Sequence, residues 1–203
     1  MLSLYTVSPK DYFGSNCYLL ESEGDFAVID PSIKYEEALR LHPEISGRLK
    51  LVLLTHCHFD HILYIKEWVD AGGKVYIGRQ DGKGLSDPNI NCYQGFMGTL
   101  DGYFGDYTPI SEGDSITLGD ETIKVIDAPG HTAGGVIYET DIGLFVGDTV
   151  FAGGGYGRTD LPGGDIDTLE RTLVKLFSRE DDAVIYPGHG EPTTLSKNVK
   201  YFM

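Results

Sequence analysis

The run Thr55-His56-Cys57-His58-Phe59-Asp60-His61 constrains this chain most, because it sets three imidazoles and a carboxylate within six positions. Residues so spaced cannot share one helix face or one side of a strand, whereas an irregular loop can turn them to a common point. The preceding Leu49-Lys50-Leu51-Val52-Leu53-Leu54 is short, apolar and β-favouring and reads as a buried strand, so the loop lies at that strand's carboxyl end. His56 and His58, two apart, can meet one ion, while Asp60 and His61 are placed for a second ion nearby. Donors of this kind suit zinc, and also iron or manganese. The bland alternative is a polar helix N-terminus with incidental histidines.

The other histidines argue against that alternative. His131 sits in Ala128-Pro129-Gly130-His131-Thr132 and His189 in Tyr186-Pro187-Gly188-His189-Gly190, each after a strand-like run. Asp148 ends another apolar strand, Leu144-Phe145-Val146-Gly147-Asp148. Of the six histidines only His42 lies outside such a setting, in the last turn of a helix read from Tyr35 to His42, where an imidazole favours the helix C-terminus. Five histidines and two aspartates thus fall at the ends of expected strands.

In this ordered series, together with the strand end Val28-Ile29-Asp30-Pro31, the chain resembles the metallo-β-lactamase superfamily over nearly its whole length. The resemblance implies a single α/β domain over residues 1–203, an αββα sandwich of two mixed sheets flanked by helices. It implies two divalent ions, zinc first and iron or manganese as alternatives. His56, His58 and His131 would hold one ion, and Asp60, His61 and His189 the other, with Asp148 between them. Asp60 would also orient the attacking hydroxide. Asp30 is either the family's aspartate that hydrogen-bonds the metal-bearing loop or the start of an Asp-Pro-Ser turn.

The segment Phe151-Ala152-Gly153-Gly154-Gly155-Tyr156-Gly157-Arg158-Thr159-Asp160 looks like the corresponding loop of the glyoxalase II-like branch, which includes hydroxyacylglutathione hydrolases and persulfide dioxygenases. The function implied is hydrolysis of an acyl thioester by a metal-bridging hydroxide. The alternative is iron-dependent persulfide dioxygenation, with one iron on the equivalents of His56, His131 and Asp148. Tyr156 and Arg158 are candidates for substrate contact, Arg158 either clamping a substrate carboxylate or pairing with Asp160 or Asp165. The longer hydroxyacylglutathione hydrolases carry a C-terminal helical region after the last histidine, and here about a dozen residues follow His189, so the resemblance speaks to the reaction more than to the thiol carrier.

Charge narrows the partners. Against 16 Lys plus Arg stand 31 Asp plus Glu, a formal net charge of -15 that repels phosphate backbones and disfavours nucleic acid. No apolar run reaches membrane length and the first residues lack a signal h-region, so a cytoplasmic protein acting on a small molecule is expected, with homo-oligomer formation open. Cys17, Cys57 and Cys92 are odd in number and dispersed, which argues against a disulfide framework. Cys57 reads as a packed thiol rather than a further donor.

The remaining pattern gives a meander of strands at Leu2–Val7, Asn16–Glu21 and Phe26–Asp30. A helix over Ile62–Val69 and a strand over Lys74–Gly78 follow. Four further strands span Asp114–Leu118, Thr122–Asp127, Val136–Glu139 and Ile142–Val146. Asp165 reads as the N-cap of an amphipathic helix over Ile166–Phe177, with Ile166, Leu169, Leu173, Leu176 and Phe177 on its apolar face. Between Gln80 and Ile110 the pattern dissolves into glycines and aromatics, a loop expected to form a wall or lid beside the site, or else an interface or packing over a sheet end.

Overall fold

A computed structural model of the chain describes residues 1–7 and 14–202. Strands β1 (Ser3–Val7), β2 (Cys17–Ser22) and β3 (Asp25–Ile29) form the expected antiparallel meander. Helix α1 (Tyr35–Leu41) leads to β4 (Leu49–Leu54), and α2 (Ile65–Asp70) to β5 (Lys74–Gly78). Helix α3 (Tyr93–Met97) and strand β6 (Thr108–Ile110) complete the first sheet, in which β3 to β6 run parallel. The second sheet contains β7 (Ser115–Leu118), β8 (Glu121–Asp127), β9 (Val136–Thr140) and β10 (Gly143–Gly147), all antiparallel. After α4 (Ile166–Phe177), β11 (Val184–Pro187) adds parallel to β10, and β12 (Thr193–Thr194) leads into α5 (Leu195–Val199). Each sheet has six strands in chain order across it.

The strand period of two explains the layers. On β4, Leu51 and Leu53 face a cluster between the sheets with Ile123, Val125, Tyr138 and Phe145, while Val52 and Leu54 face a second cluster with Ala38, Ile65 and Trp68. A strand buried on both faces has no polar side to show, which is why residues 49–54 read as one apolar run. Trp68 is fully buried, and its Nε1 donates to the Ile33 carbonyl at 2.9 Å, a core role as expected. On the outer face of the second sheet, Ile137, Leu144, Val146 and Ile185 pack against Leu169, Leu173, Leu176 and Phe177 of α4. Asp165 caps that helix, accepting from the Thr168 amide at 2.7 Å. These layers are the αββα sandwich.

Three details differ from the expectations. The helix after the metal motif starts at Ile65 rather than Ile62, because Phe59–His61 winds as a tighter 3-10 turn. Ile166 is exposed and Thr172 takes a buried place on α4, its hydroxyl donating to the Pro129 carbonyl at 2.7 Å. Residues 80–110 are not a structureless loop: they hold a 3-10 turn at Gly82–Ser86, α3 and β6. The period is hidden there because the elements are short and close packing needs glycine, as where a Cβ on Gly84 would come within 2.6 Å of Cys57 Sγ.

Candidate metal centre

The carboxyl ends of β3, β4, β8, β10 and β11 open on one edge of the sandwich, and every residue of the metal motif series lies there. Among the described residues, donor atoms gather in three groups, each within 4.8 Å: His56, His58 and His131; Asp60, His61 and His189; and His56, His61 and Asp148. The third group takes one histidine from each of the other two, so Asp148 stands between them. Its Oδ2 lies 3.7 Å from His131 Nε2 and 3.5 Å from His189 Nε2, and its Oδ1 lies 3.3 Å from His61 Nε2. Asp60 Oδ2 is 3.1 Å from His189 Nε2.

Hydrogen bonds aim these rings. Asp30, 1% exposed and held at φ 53°, accepts from the Thr55 amide at 2.9 Å, from Thr55 Oγ1 at 2.7 Å and from His61 Nδ1 at 2.8 Å. With its hydrogen committed to Asp30, Thr55 Oγ1 is left to accept from His56 Nδ1 at 3.1 Å. His131 Nδ1 donates to the Arg158 carbonyl at 2.7 Å. These partners assign the tautomers, so Nε2 of His56, His61 and His131 carries its lone pair toward the centre. His131 Nε2 faces His58 Nδ1 at 2.9 Å. His56 Nε2 is buried with no hydrogen-bond partner, and His61 Nε2 and Asp148 Oδ1 are buried without one of good geometry. Converging lone pairs and buried carboxylate oxygens of this kind fit cations, and the residues present fit a pair of them.

The electrostatics agree. Burial holds His56 well below the usual imidazole range and brings His58 down to about 3, with neighbouring imidazoles adding to both. Burial would lower His61 too, but Asp30, Asp60 and Asp148 outweigh it and hold that ring well above the ordinary value. Burial would raise Asp60 and Asp148, yet His61 and His189 keep both below the usual carboxylate range. His56 and His58 are thus neutral and both carboxylates ionised, the forms that bind metal, whereas His61 and His189, held up by the carboxylates beside them, would give up a proton to a cation at Nε2.

Glycine admits the close approach. A Cβ on Gly188 would lie 2.2 Å from Asp148 Oδ1, and one on Gly157 would lie 2.6 Å from His131 Nδ1. Above the donors opens a cleft of about 370 Å³, lined by Phe59, Cys92, Phe96, Phe151, Leu161 and Arg158 together with the donors. Segment 80–110 therefore supplies a wall through Cys92 and Phe96. Arg158 reaches the cleft with its guanidinium bonded to Asp160, Nε to Oδ1 at 2.7 Å and Nη2 to Oδ2 at 2.6 Å. Tyr156 is not brought there: it is outside the lining, with its ring 6.5 Å from that of Phe202. Cys57 is buried in the helix-side core and belongs to none of the donor groups.

Sequence reasoning missed the groups that hold the loops. Asp81, 3% exposed, accepts from the Cys57 amide at 3.1 Å and the Gly134 amide at 2.6 Å, tying the first metal loop to the one that carries His131. Asn16 donates to the Pro187 and Gly190 carbonyls at 3.0 and 2.9 Å, and the Tyr18 hydroxyl to Pro187 at 2.6 Å, fixing the His189 loop. Asp81 lies just beyond β5, and a carboxylate past a strand end was the available signal; Asn16 and Tyr18 carried none.

Residues 11–189 match the sequence profile of the metallo-beta-lactamase superfamily. The hydroxyacylglutathione hydrolase GloC of Haemophilus influenzae is 32% identical over 199 residues, covering 94% of this chain and 92% of its own length. Among solved structures, the B3 metallo-beta-lactamase BLEG-1 superposes with a TM-score of 0.86 at 27% identity, over 96% of this chain and 95% of that one. The protein TTHA1623, crystallised in a di-iron-bound form, gives 0.82 at 29% identity, over 97% and 98%.

Proposed function

This chain belongs to the metallo-beta-lactamase superfamily, in its glyoxalase II-like branch, and from that premise we propose that it is a metal-dependent hydrolase of acyl thioesters. The observation that carries the reading is the pair of donor groups joined at Asp148 on the floor of one cleft. We assign His56, His58 and His131 to one ion and Asp60, His61 and His189 to another, with Asp148 shared. Divalent cations in such a pair, zinc first and iron or manganese as alternatives, lower the pKa of water toward neutrality and polarise a carbonyl.

The chain's own groups supply the rest. Asp60, ionised and half-sheltered beside His189, accepts a hydrogen bond from the attacking water and fixes its direction. Asp30 holds His61 in its donor tautomer through the reaction. Phe59, Phe96 and Leu161 exclude bulk water from the carbonyl. A thiolate leaves with little need of protonation, so a cleft without a clear further acid suits a thioester better than an amide. GloC, named for hydrolysis of a hydroxyacylglutathione, supports the same class. Among the described residues no helix is long and apolar enough to cross a membrane.

Persulfide dioxygenation, with one iron on His56, His131 and Asp148, is the reaction to test against, since iron occupies the similar TTHA1623. Metal content of protein from its native host, measured beside thioester loss and oxygen uptake, separates the two. We expect two ions per chain and thioester cleavage without oxygen consumption. One iron per chain with persulfide-dependent oxygen uptake would overturn the proposal.

A further inference from the structure

Resting on the thioesterase reading above, we infer that the cleft selects an apolar acyl group on an uncharged thiol carrier, not a carboxylate-bearing carrier of the glutathione kind. Its walls carry the argument. Phe96 is 46% exposed and stacks on Phe59 with ring centroids 5.3 Å apart and planes 21° from parallel, an aromatic wall in the same lining as Asp60, with the Arg158 guanidinium carbon 6.0 Å from the Phe96 centroid. Phe151 stands 5.9 Å from the His189 ring, and Leu161 closes the lining. Cys92, 4% exposed, also lines the cleft and adds polarisable sulfur to its wall.

Charge recognition is missing from the same walls. Among the described residues that line the cleft, Arg158 is the one lysine or arginine, and Asp160 already occupies its Nε and Nη2 edge. The pair is electrically neutral. Asp60 and Asp148 are the other charged side chains of the lining, and both are committed to the ions on the floor, so the walls above offer a carboxylate no further cation, in a chain of net charge -15. A carrier with two carboxylates would give up hydration without finding a free cation on the walls, whereas an aryl or alkyl arm would cover Phe96 and gain the apolar contact.

The test is a four-way comparison on the metal-loaded enzyme: phenylacetyl and lactoyl thioesters, each on N-acetylcysteamine and on glutathione. We expect phenylacetyl to exceed lactoyl by about tenfold in kcat/KM on either carrier, and glutathione to give no advantage over N-acetylcysteamine. Phe96→Ala should raise KM for phenylacetyl substrates by about tenfold and leave lactoyl substrates unchanged. Asp160→Asn, which frees Arg158, should raise kcat/KM on glutathione thioesters alone, by about three- to tenfold. Calorimetry with the uncleavable thioethers S-phenethyl-N-acetylcysteamine and S-phenethylglutathione reads binding apart from chemistry. If no thioester is cleaved but the first thioether binds at least as well as the second and loses affinity in Phe96→Ala, the reaction is wrong and the selectivity stands. A tenfold preference for lactoyl or for glutathione, or the absence of binding by both thioethers, overturns the selectivity.

Discussion

The two halves of the metal centre are built differently. In the first, one loop after β4 presents His56, His58, Asp60 and His61, and buried side-chain carboxylates hold it from beneath, Asp30 through Thr55 and His61, Asp81 through the Cys57 amide. In the second, His131, Asp148 and His189 come singly from three strand ends; main-chain groups bond the ligand residues themselves, while the Asp81 and Asn16 side chains brace the loops that carry His131 and His189. The Arg158 carbonyl takes His131 Nδ1, the Gly157 amide donates to the Asp148 carbonyl at 2.9 Å, and the Gly188 amide donates to the Gly147 carbonyl at 2.8 Å. A crowded loop needs acceptors that fix several rings at once, which a carboxylate with two oxygens provides. A lone ligand at a strand end needs only a backbone that can come close, and that requirement falls on glycine.

If this contrast is right, damage to the two halves should differ in kind. The largest effect is expected at the residue of the second half that both proposed ions share: Asp148→Ala should abolish binding of both ions and lower kcat/KM by about three orders of magnitude or more while the fold persists, read by metal analysis and circular dichroism. Two ions retained in that variant would break the division into two sets. Asp30→Asn should weaken metal affinity by about 10- to 100-fold, because an amide has one oxygen and cannot accept both from the Thr55 amide, as Oδ1 does, and from Thr55 Oγ1 and His61 Nδ1, as Oδ2 does; an unchanged affinity would remove Asp30 from the loop's support. Gly188→Ala should instead act through space, costing about 1–3 kcal/mol of stability as the new methyl meets Asp148 and His61. Thermal unfolding of the chelated and loaded protein checks it, and a loss seen only with metal present would contradict a steric cause.

Asp81→Asn gives the smallest effect, about 1–2 kcal/mol, because one of two amide partners is lost. Burial holds the Asp81 carboxyl above the ordinary range. A raised folded pKa favours the protonated form on folding, so that contribution is full below the ordinary value near ~4 and fades as pH rises through the folded one. Stability measured across that window should lose this slope in the variant, and an unaltered slope would mean that another group titrates there.

The legible parts of the molecule were those in which one residue type had one job. The clustering of the donors could be read because histidines at strand ends have few structural uses, and the layers because β4 and α4 keep their periods over a full element. Asp30 could be placed beside the loop but not separated from a turn, since its φ of 53° serves either role until the Thr55 and His61 bonds are seen. Segment 80–110 was opaque because its helix and strand are only five and three residues long, too short to show a period. Asn16, Tyr18 and the Arg158 carbonyl were invisible for another reason: what they hold lies up to 174 positions away, or is held by an atom every residue possesses.

The tie from Asn16 to the Pro187 and Gly190 carbonyls also orders events in time. During synthesis the group of His56, His58 and His131 is complete at residue 131 and that of His56, His61 and Asp148 at residue 148, but the group of Asp60, His61 and His189 waits for residue 189 and for the early residues that seat it. At about 5–20 residues per second the interval between residues 131 and 189 lasts roughly 3–12 s. For those seconds the donor group of Asp60, His61 and His189 does not exist, and the edge on which His189 sits closes only when residues from the two ends of the chain meet.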